Sequence, residues 1–465
     1  MSELKALWAD FTYKPHQIIG VNWMLHRETD EVKGGILCDE MGLGKTIQML
    51  GLIKESGPGK TLLVLPLAVI NQWKDTAIRA RINVMVYTKQ SWKLQSTPFA
   101  GSPVIYIIGY EALSNNINEI SMMTFDRLVC DEAHRLGVKK IRQLLYTQKP
   151  IKKLAYNTIS QIKATCKWFL TATPVVNSED DVLSLFTLLN PSFYKLPVEV
   201  LMQTYALARS MDMLRTQIPD APCAPIIHTH KLDFASDAER DFYVQIQTNV
   251  QKQMHYNESA LAILRLILLL RQLSIHPQVY IGARQKKWKD IPNWTAPSTK
   301  FVKMKELMEA ESKDEHKWIV FCHFHEEMVL MKQYLETCTF IRHIETYSGD
   351  LNAEKKEAAL KKVHEPFAGG KTCDVLLVQL KAGGVGLNLQ TFDRIIFNSP
   401  WWTQAAIDQG IGRAVRIGQK KQVVVHNLVL KQEEVNNVRN IDSWMEKIAA
   451  KKDIANKTIL EFASH

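Results

Sequence analysis

None of the chain's seven cysteines forms a C-x-x-C pair. That absence argues against a zinc module or a disulfide framework and fits a reducing, intracellular compartment. Such a location means the nucleus in a eukaryote, and otherwise the cytoplasm or a viral replication site. Long apolar runs are also missing. The most apolar stretch, Leu261 to Leu270, is short and broken by Arg265, so it reads as a buried helix and no membrane is expected. The segment Met1 to Asp10 carries acids and lacks a long apolar core, which gives no sign of a targeting signal. Short repeats and low-complexity tracts are absent as well. Cys38 and Cys130 each close an apolar run just before a charged motif and read as small buried strand residues.

What remains is an ordinary globular composition at unusual length. The 465 residues suggest two or three domains, and 46% hydrophobic content can fill real cores. A net charge of +10 favours a polyanionic partner, although an ordinary basic surface explains it about as well.

Within a first lobe of residues 1–190, strand–helix alternation runs through residues 33–190, with strands expected at Thr61–Leu65, Val104–Ile108, Arg127–Cys130 and Trp168–Leu170. Residues 191–297 read as long helices interrupted by a proline-rich crossing from Pro219 to Pro225. Within a second lobe of residues 298–440 the alternation resumes from Lys317, with strands expected at Trp318–Phe321, Val375–Val378, Arg394–Phe397 and Val423–Val425. In 441–465, Trp444, Ile448, Ala455 and Ile459 recur at helical spacing and suggest a docking helix. The fold class expected is α/β, with two parallel-sheet lobes and a helical insertion between them.

Three motifs carry chemistry. Asp39, Glu40, Met41, Gly42, Leu43, Gly44, Lys45 and Thr46 follow the apolar run Ile36 to Cys38 and precede a helix-like stretch. Gly42 and Gly44 let backbone N–H groups turn toward an anion, Lys45 can reach terminal phosphates, and Thr46 can hold Mg²⁺. Asp39 stands where the general phosphate-loop pattern begins with Gly. The second motif, Asp131-Glu132-Ala133-His134, ends another apolar run. It suggests Asp131 as a metal ligand and Glu132 as the group polarising an attacking water. The third holds Arg413 and Arg416, three apart and expected on one helix face, as fingers for a γ-phosphate gathering charge. They lie in the second strand–helix segment, whereas Lys45 and Glu132 lie in the first. The ATP site is therefore expected to be complete only when the two lobes close.

Taken in order, these motifs resemble the ATPase core of the Swi/Snf family of DNA translocases, within superfamily 2 of the helicases. Asp39 to Thr46 is similar to that family's own phosphate loop, Asp included. Segments Tyr13 to Met24, Leu63 to Leu67 with Asn71 to Trp73, Leu170 to Pro174, Leu270 to Leu273 with His276 and Pro277, Leu380 to Leu389 and Pro400 to Trp402 resemble further family motifs. The last two point to the branch of repair-type translocases, here without a RING insertion and without zinc. The resemblance implies RecA-like lobes, ATP and Mg²⁺ as cofactors, and Gln17 as the reader of adenine. It also implies DNA contacts at Pro66, Asn71, Trp73, Gly384, Gly386 and Asn388. Val415 departs from the family's usual His, and Thr171-Ala172-Thr173 from its usual Thr-Gly-Thr. The family's basic-Asn pair is absent after the acidic box.

The expected function is an ATP-dependent motor that grips the phosphate backbone of double-stranded DNA without sequence preference. Two rivals remain: a strand-separating DNA or RNA helicase, and a low-turnover nucleotide-gated clamp. Since no targeting module is evident, a protein partner is one source of direction.

Overall fold

In the computed structural model, the chain is described over residues 4–218, 221–256, 259–285, 291–367, 370, 372–380, 389–431 and 440–464. It divides into two compact units, one of residues 1–221 with 451–465 and the other of residues 222–450.

The first unit is built on eight strands: β1 Gly34–Leu37, β2 Lys60–Leu65, β3 Asn83–Thr88, β4 Ser91–Leu94, β5 Val104–Gly109, β6 Thr124–Asp131, β7 Lys163–Leu170 and β8 Ala206–Leu207. Their order is β4-β3-β5-β2-β6-β7-β1-β8, and every pairing is parallel except β3 with β4. All four residues of β1 and five of the six in β2 are buried. Helices cover both faces of such a sheet, so its central strands read as unbroken apolar runs. Local signals start the covering helices. Pro15 opens Pro15–Arg27 at a position where its missing N–H costs nothing. Ser178 and Asp181 form a capping box on Glu179–Leu189, whose first turn carries three acids beside the positive end of the helix dipole.

Topology converts distant motifs into neighbours. Strands β6, β7 and β1 lie side by side, with Asp131 paired to Leu170 and Leu170 to Leu37. Parallel strands end at one edge of the sheet, so the segments after Leu37, Asp131 and Leu170 emerge together.

The second unit holds β9 Ile226–Leu232, β10 His316–Cys322, β11 Ile341–Tyr347, β12 Cys373–Gln379, β13 Arg394–Phe397 and β14 Val424–Leu430. All are parallel, in the order β11-β12-β10-β13-β14-β9. Apolar residues pack on both faces of this sheet. A further core is formed by helices Asp237–Tyr256, Ala260–Ile275 and Pro277–Gln285 with Ile441 and Met445. Among the described residues no helix is long and apolar enough to cross a membrane.

Two expectations change. The stretch 191–297 is not one separate segment: β8 completes the first sheet, whereas β9 and the helices from Asp237 onward belong to the second unit. The helix over Leu261 to Leu270 is only one-sided in its burial. Leu266, Ile267 and Leu270 are buried, while Leu261 is 61% and Leu264 45% exposed. With apolar residues on all sides, this stretch has no periodicity from which to tell its faces apart. The C-terminal helix is Ile441–Glu461, and residues from 451 onward dock on the first unit, where Asn456 accepts from the Val175 N–H (3.1 Å).

Candidate active site

The loop after β1 is tied down from beneath. Gly42 and Gly44 sit at φ 93° and 83°, in the left-handed region where a side chain is strained, and Gly44 leads into the helix Lys45–Glu55. A Cβ on Gly44 would come within 2.7 Å of the Gln17 amide nitrogen, so this glycine also permits a close approach. His16 Nε2 lies 2.8 Å from the Leu43 carbonyl, and the Gln17 amide donates to the same oxygen at 3.4 Å. Gln17 is 6% exposed and its Oε1 accepts from the Lys14 N–H. In this structure, then, the residue expected to read adenine braces the phosphate loop.

Asp39 does the same work more forcefully. Its carboxylate is fully buried and accepts a fork from Arg209, with Nε at 2.9 Å and Nη2 at 2.5 Å, together with the Gln48 amide at 2.9 Å. Full burial leaves this carboxylate no open face, so in this structure Asp39 holds the loop from beneath. Arg209 went unnoticed in the sequence because it follows a two-residue strand and belongs to no motif. Glu40 is fastened to the same segment, its N–H donating to the Arg209 carbonyl (2.8 Å) and its carboxylate accepting from Met211 N–H (2.5 Å). Burial pushes the Glu40 carboxyl above its ordinary range. Lys45 Nζ donates to the Asp39 carbonyl at 2.6 Å and to that of Glu40 at 3.4 Å. A phosphate would displace these weaker neutral acceptors with a charge-assisted bond.

At the end of β6, Asp131 accepts from the Trp73 indole N–H (2.9 Å) through Oδ2 and from the Glu132 N–H (2.9 Å) through Oδ1. Burial and the neighbouring Glu132 carboxylate raise its pKa to about 6. Glu132 itself has φ 51°, a left-handed backbone that a non-glycine residue adopts at a cost and that fixes where its side chain leaves the strand. Its Oε2 is 3.4 Å from His134 Nδ1, which lies 3.2 Å from Thr171 Oγ1. Burial pushes His134 down to about 4, so the ring is neutral at neutral pH. Thr171 Oγ1 in turn accepts from the Thr173 N–H at 3.1 Å. A chain of polar contacts thus links the acidic box to the segment after β7. Cys38 and Cys130 are buried beside these motifs, with thiols pushed far up by burial, as small strand-end residues should be.

Trp73 is corrected from a DNA contact to a support of this site, since it is 1% exposed and spends its only donor on Asp131. Trp73→Phe should lower turnover several-fold with little change in nucleotide affinity. A hydrogen bond to a charged group contributes about 1.5–3 kcal/mol, and single-turnover hydrolysis would detect its loss. Pro66 is buried as well, whereas Asn71 is exposed on the helix Ile70–Arg79. Gly384, Gly386 and Asn388 lie outside the described residues.

The arginine motif of the second unit takes an unexpected form. The helix Gln404–Ile411 stops before it, so Arg413 and Arg416 stand on tight turns and not on a helical face. Backbone bonds from Arg413 N–H to Gly410 O and from Arg416 N–H to Ala414 O wind this segment. Glycines at 410, 412 and 418 weaken helix propagation there. Gly410 packs so closely that a Cβ would meet the Phe321 and Phe397 rings at 3.0 and 3.1 Å. Arg413 is 4% exposed, and the Arg416 Nε donates to the Gly412 carbonyl (2.8 Å).

Positive charge is unevenly spread. From Ala133 to Ser178 the chain has nine Lys or Arg and no Asp or Glu. Arg135, Lys139, Lys140, Lys149 and Lys152 of this stretch are exposed on the first unit.

Residues 16–199 match the SNF2-related domain family, and residues 299–418 match the helicase conserved C-terminal domain. Among curated proteins, YwqA of Bacillus subtilis is 26% identical over 450 residues, covering 90% of this chain and 46% of that protein. The ISWI chromatin-remodeling complex ATPase ISW2 of Saccharomyces cerevisiae is 24% identical over 462 residues, covering 90% of this chain and 38% of its own length. The chain thus spans less than half of either relative. A solved structure described as the Sulfolobus solfataricus SWI2/SNF2 ATPase core in complex with dsDNA aligns over 99% of this chain and 96% of its own, at 20% identity and a TM-score of 0.40.

Proposed function

Because the chain belongs to the Swi/Snf family of helicase superfamily 2 ATPases, we propose that it uses ATP hydrolysis to move along double-stranded DNA and remodel protein–DNA complexes. The observation that carries this reading is the run of contacts from Glu132 through His134 to Thr171. A motor needs its hydrolytic carboxylate to be felt outside the nucleotide pocket, and here a single nitrogen of one neutral imidazole, His134 Nδ1, lies 3.4 Å from Glu132 and 3.2 Å from Thr171. The exposed cations from Arg135 to Lys152 support a polyanionic track, because backbone contacts of this kind are independent of sequence and sensitive to salt.

In this reading the Gly42–Thr46 backbone and Lys45 hold the phosphates, and Glu132 orients water and takes its proton. Arg413 and Arg416 offset charge gathering on the terminal phosphate, and Gln17 recognises adenine from its position against the loop. Magnesium fits the donors present: the Thr46 hydroxyl and the Asp131 carboxylate are hard oxygens. When bound there, the ion would supply positive charge against the phosphates, held by Thr46 and Asp131.

Duplex DNA should raise steady-state ATPase turnover well above that seen with single strands, with salt weakening the effect. The chain should displace the third strand of a triplex without opening a forked duplex. Robust unwinding with no triplex displacement would favour a strand-separating helicase. Negligible turnover on every nucleic acid would favour a nucleotide-gated clamp.

A further inference from the structure

We propose that Arg271 is a positioning residue that holds the arginine-bearing segment 404–416 in register through a cation–aromatic clamp on Trp401 and Trp402. The inference rests on the reading that Arg413 and Arg416 act in hydrolysis, and it assigns a role to two sequence motifs the proposed chemistry leaves idle. Residues 270–273 and 400–402 are far apart in the chain, yet the second unit brings them into contact.

Arg271 lies on the helix Ala260–Ile275 and is 3% exposed. Its guanidinium carbon sits 4.7 Å from the Trp401 ring centre and 5.2 Å from that of Trp402, with Phe324 at 6.0 Å. Among the described residues neither Nε nor Nη2 has a hydrogen-bond partner. A buried guanidinium with two of its three nitrogens unbonded is expensive, and the faces of two indoles are its chief visible compensation. Burial pulls its pKa down to about 10, against the opposing fields of Glu327 and Asp442. A leucine or methionine would fill the same space without that cost, so packing alone does not explain an arginine here.

The clamp belongs to a larger grip on one segment. The Asn398 amide donates to Glu327 (3.0 Å), and His323 Nε2 lies 3.2 Å from the Ser399 carbonyl. The His323 ring stacks on Trp401 at 4.8 Å with its plane within 4°. On the other side, Trp402 meets Trp444 edge to face at 6.2 Å. Thr403, at the N-cap position but with no side-chain capping bond, then leads into the helix Gln404–Ile411, whose end comes within a few residues of Arg413 and Arg416. One turn along from Arg271, Ser274 donates to Asp442 (2.5 Å), which also receives the buried Lys300 Nζ (2.6 Å). The helix bearing Arg271 is therefore itself anchored, and what the guanidinium grips is the lead-in to the arginine turns.

The test measures steady-state and single-turnover hydrolysis, nucleotide affinity and thermal midpoint for Arg271→Met, Arg271→Lys, Trp402→Phe and Arg416→Ala. Misplacing a catalytic group by about 1 Å can cost up to 10²-fold, so Arg271→Met should lower kcat by about tenfold to a hundredfold. KM for ATP and the thermal midpoint should stay nearly constant. Arg271→Lys should recover part of the loss by restoring a cation between the rings, and Trp402→Phe should be mild because a π-face remains. Wild-type kcat in Arg271→Met, while Arg416→Ala is impaired, overturns the inference. A collapsed thermal midpoint with normal kcat in the folded fraction overturns it too. If Arg416→Ala is itself fully active, the underlying reading of the arginines fails instead.

Discussion

Glu132→Gln is expected to bind ATP as the parent does while losing turnover by about 10²–10⁴, the usual contribution of a positioned general base. The amide preserves the shape of the side chain and can still accept a hydrogen bond, but it cannot take a proton from water. The left-handed backbone at Glu132 and its bond to Asp131 Oδ1 involve main-chain atoms, so both survive the substitution. That separation makes the variant informative, because neither the fold nor the phosphate loop has reason to change. Binding of a fluorescent nucleotide beside single-turnover hydrolysis would reveal the split. Normal hydrolysis would remove Glu132 from the mechanism and leave Asp131 or a neighbouring group to be found.

Arg209→Met should be the most destabilising substitution in the first unit outside its apolar core. It strips two guanidinium contacts from a fully buried carboxylate, leaving Asp39 with the Gln48 amide alone. Breaking a buried ion pair from one side costs about 3–5 kcal/mol, because the remaining charge stays uncompensated. In a unit of this size the thermal midpoint should fall by roughly 6–20 °C. Nucleotide affinity should fall with it, since the same guanidinium organises the start of the phosphate loop. The double variant Asp39→Leu with Arg209→Met removes both charges and should regain much of the stability. Calorimetry of the two variants decides the point. An unchanged midpoint in Arg209→Met would show that the pair contributes little.

Much of the first unit was legible because a central parallel strand must be apolar on both faces. The runs at Thr61–Leu65, Val104–Ile108, Arg127–Cys130 and Trp168–Leu170 each fall inside an observed strand. Strands at the margins were harder to see. β9 carries His228, Thr229, His230 and Lys231, and β11 mixes Arg342, His343 and Glu345 with apolar residues. A sheet edge has one neighbouring strand and more solvent, so its residues need not advertise burial. The arginine turns escaped for another reason: the three-residue spacing of Arg413 and Arg416 fits a helix equally well, and the glycines around them decide otherwise only through their backbone bonds.

The sequence by itself determined the chemistry available to this protein: a glycine loop ending in Lys45 and Thr46, an Asp131–Glu132 pair, and two arginines in a glycine-rich motif. Those groups are local, and the residue types that hold phosphate, water and charge are few. Only the tertiary structure decided which side chains support them. It placed Arg209 under Asp39, Trp73 against Asp131, and His134 between Glu132 and Thr171. It also set Arg271 between two tryptophans more than a hundred positions away. Such partners carry no motif because their role depends on distance and burial, and both are set only when the strands have taken their order in the sheet.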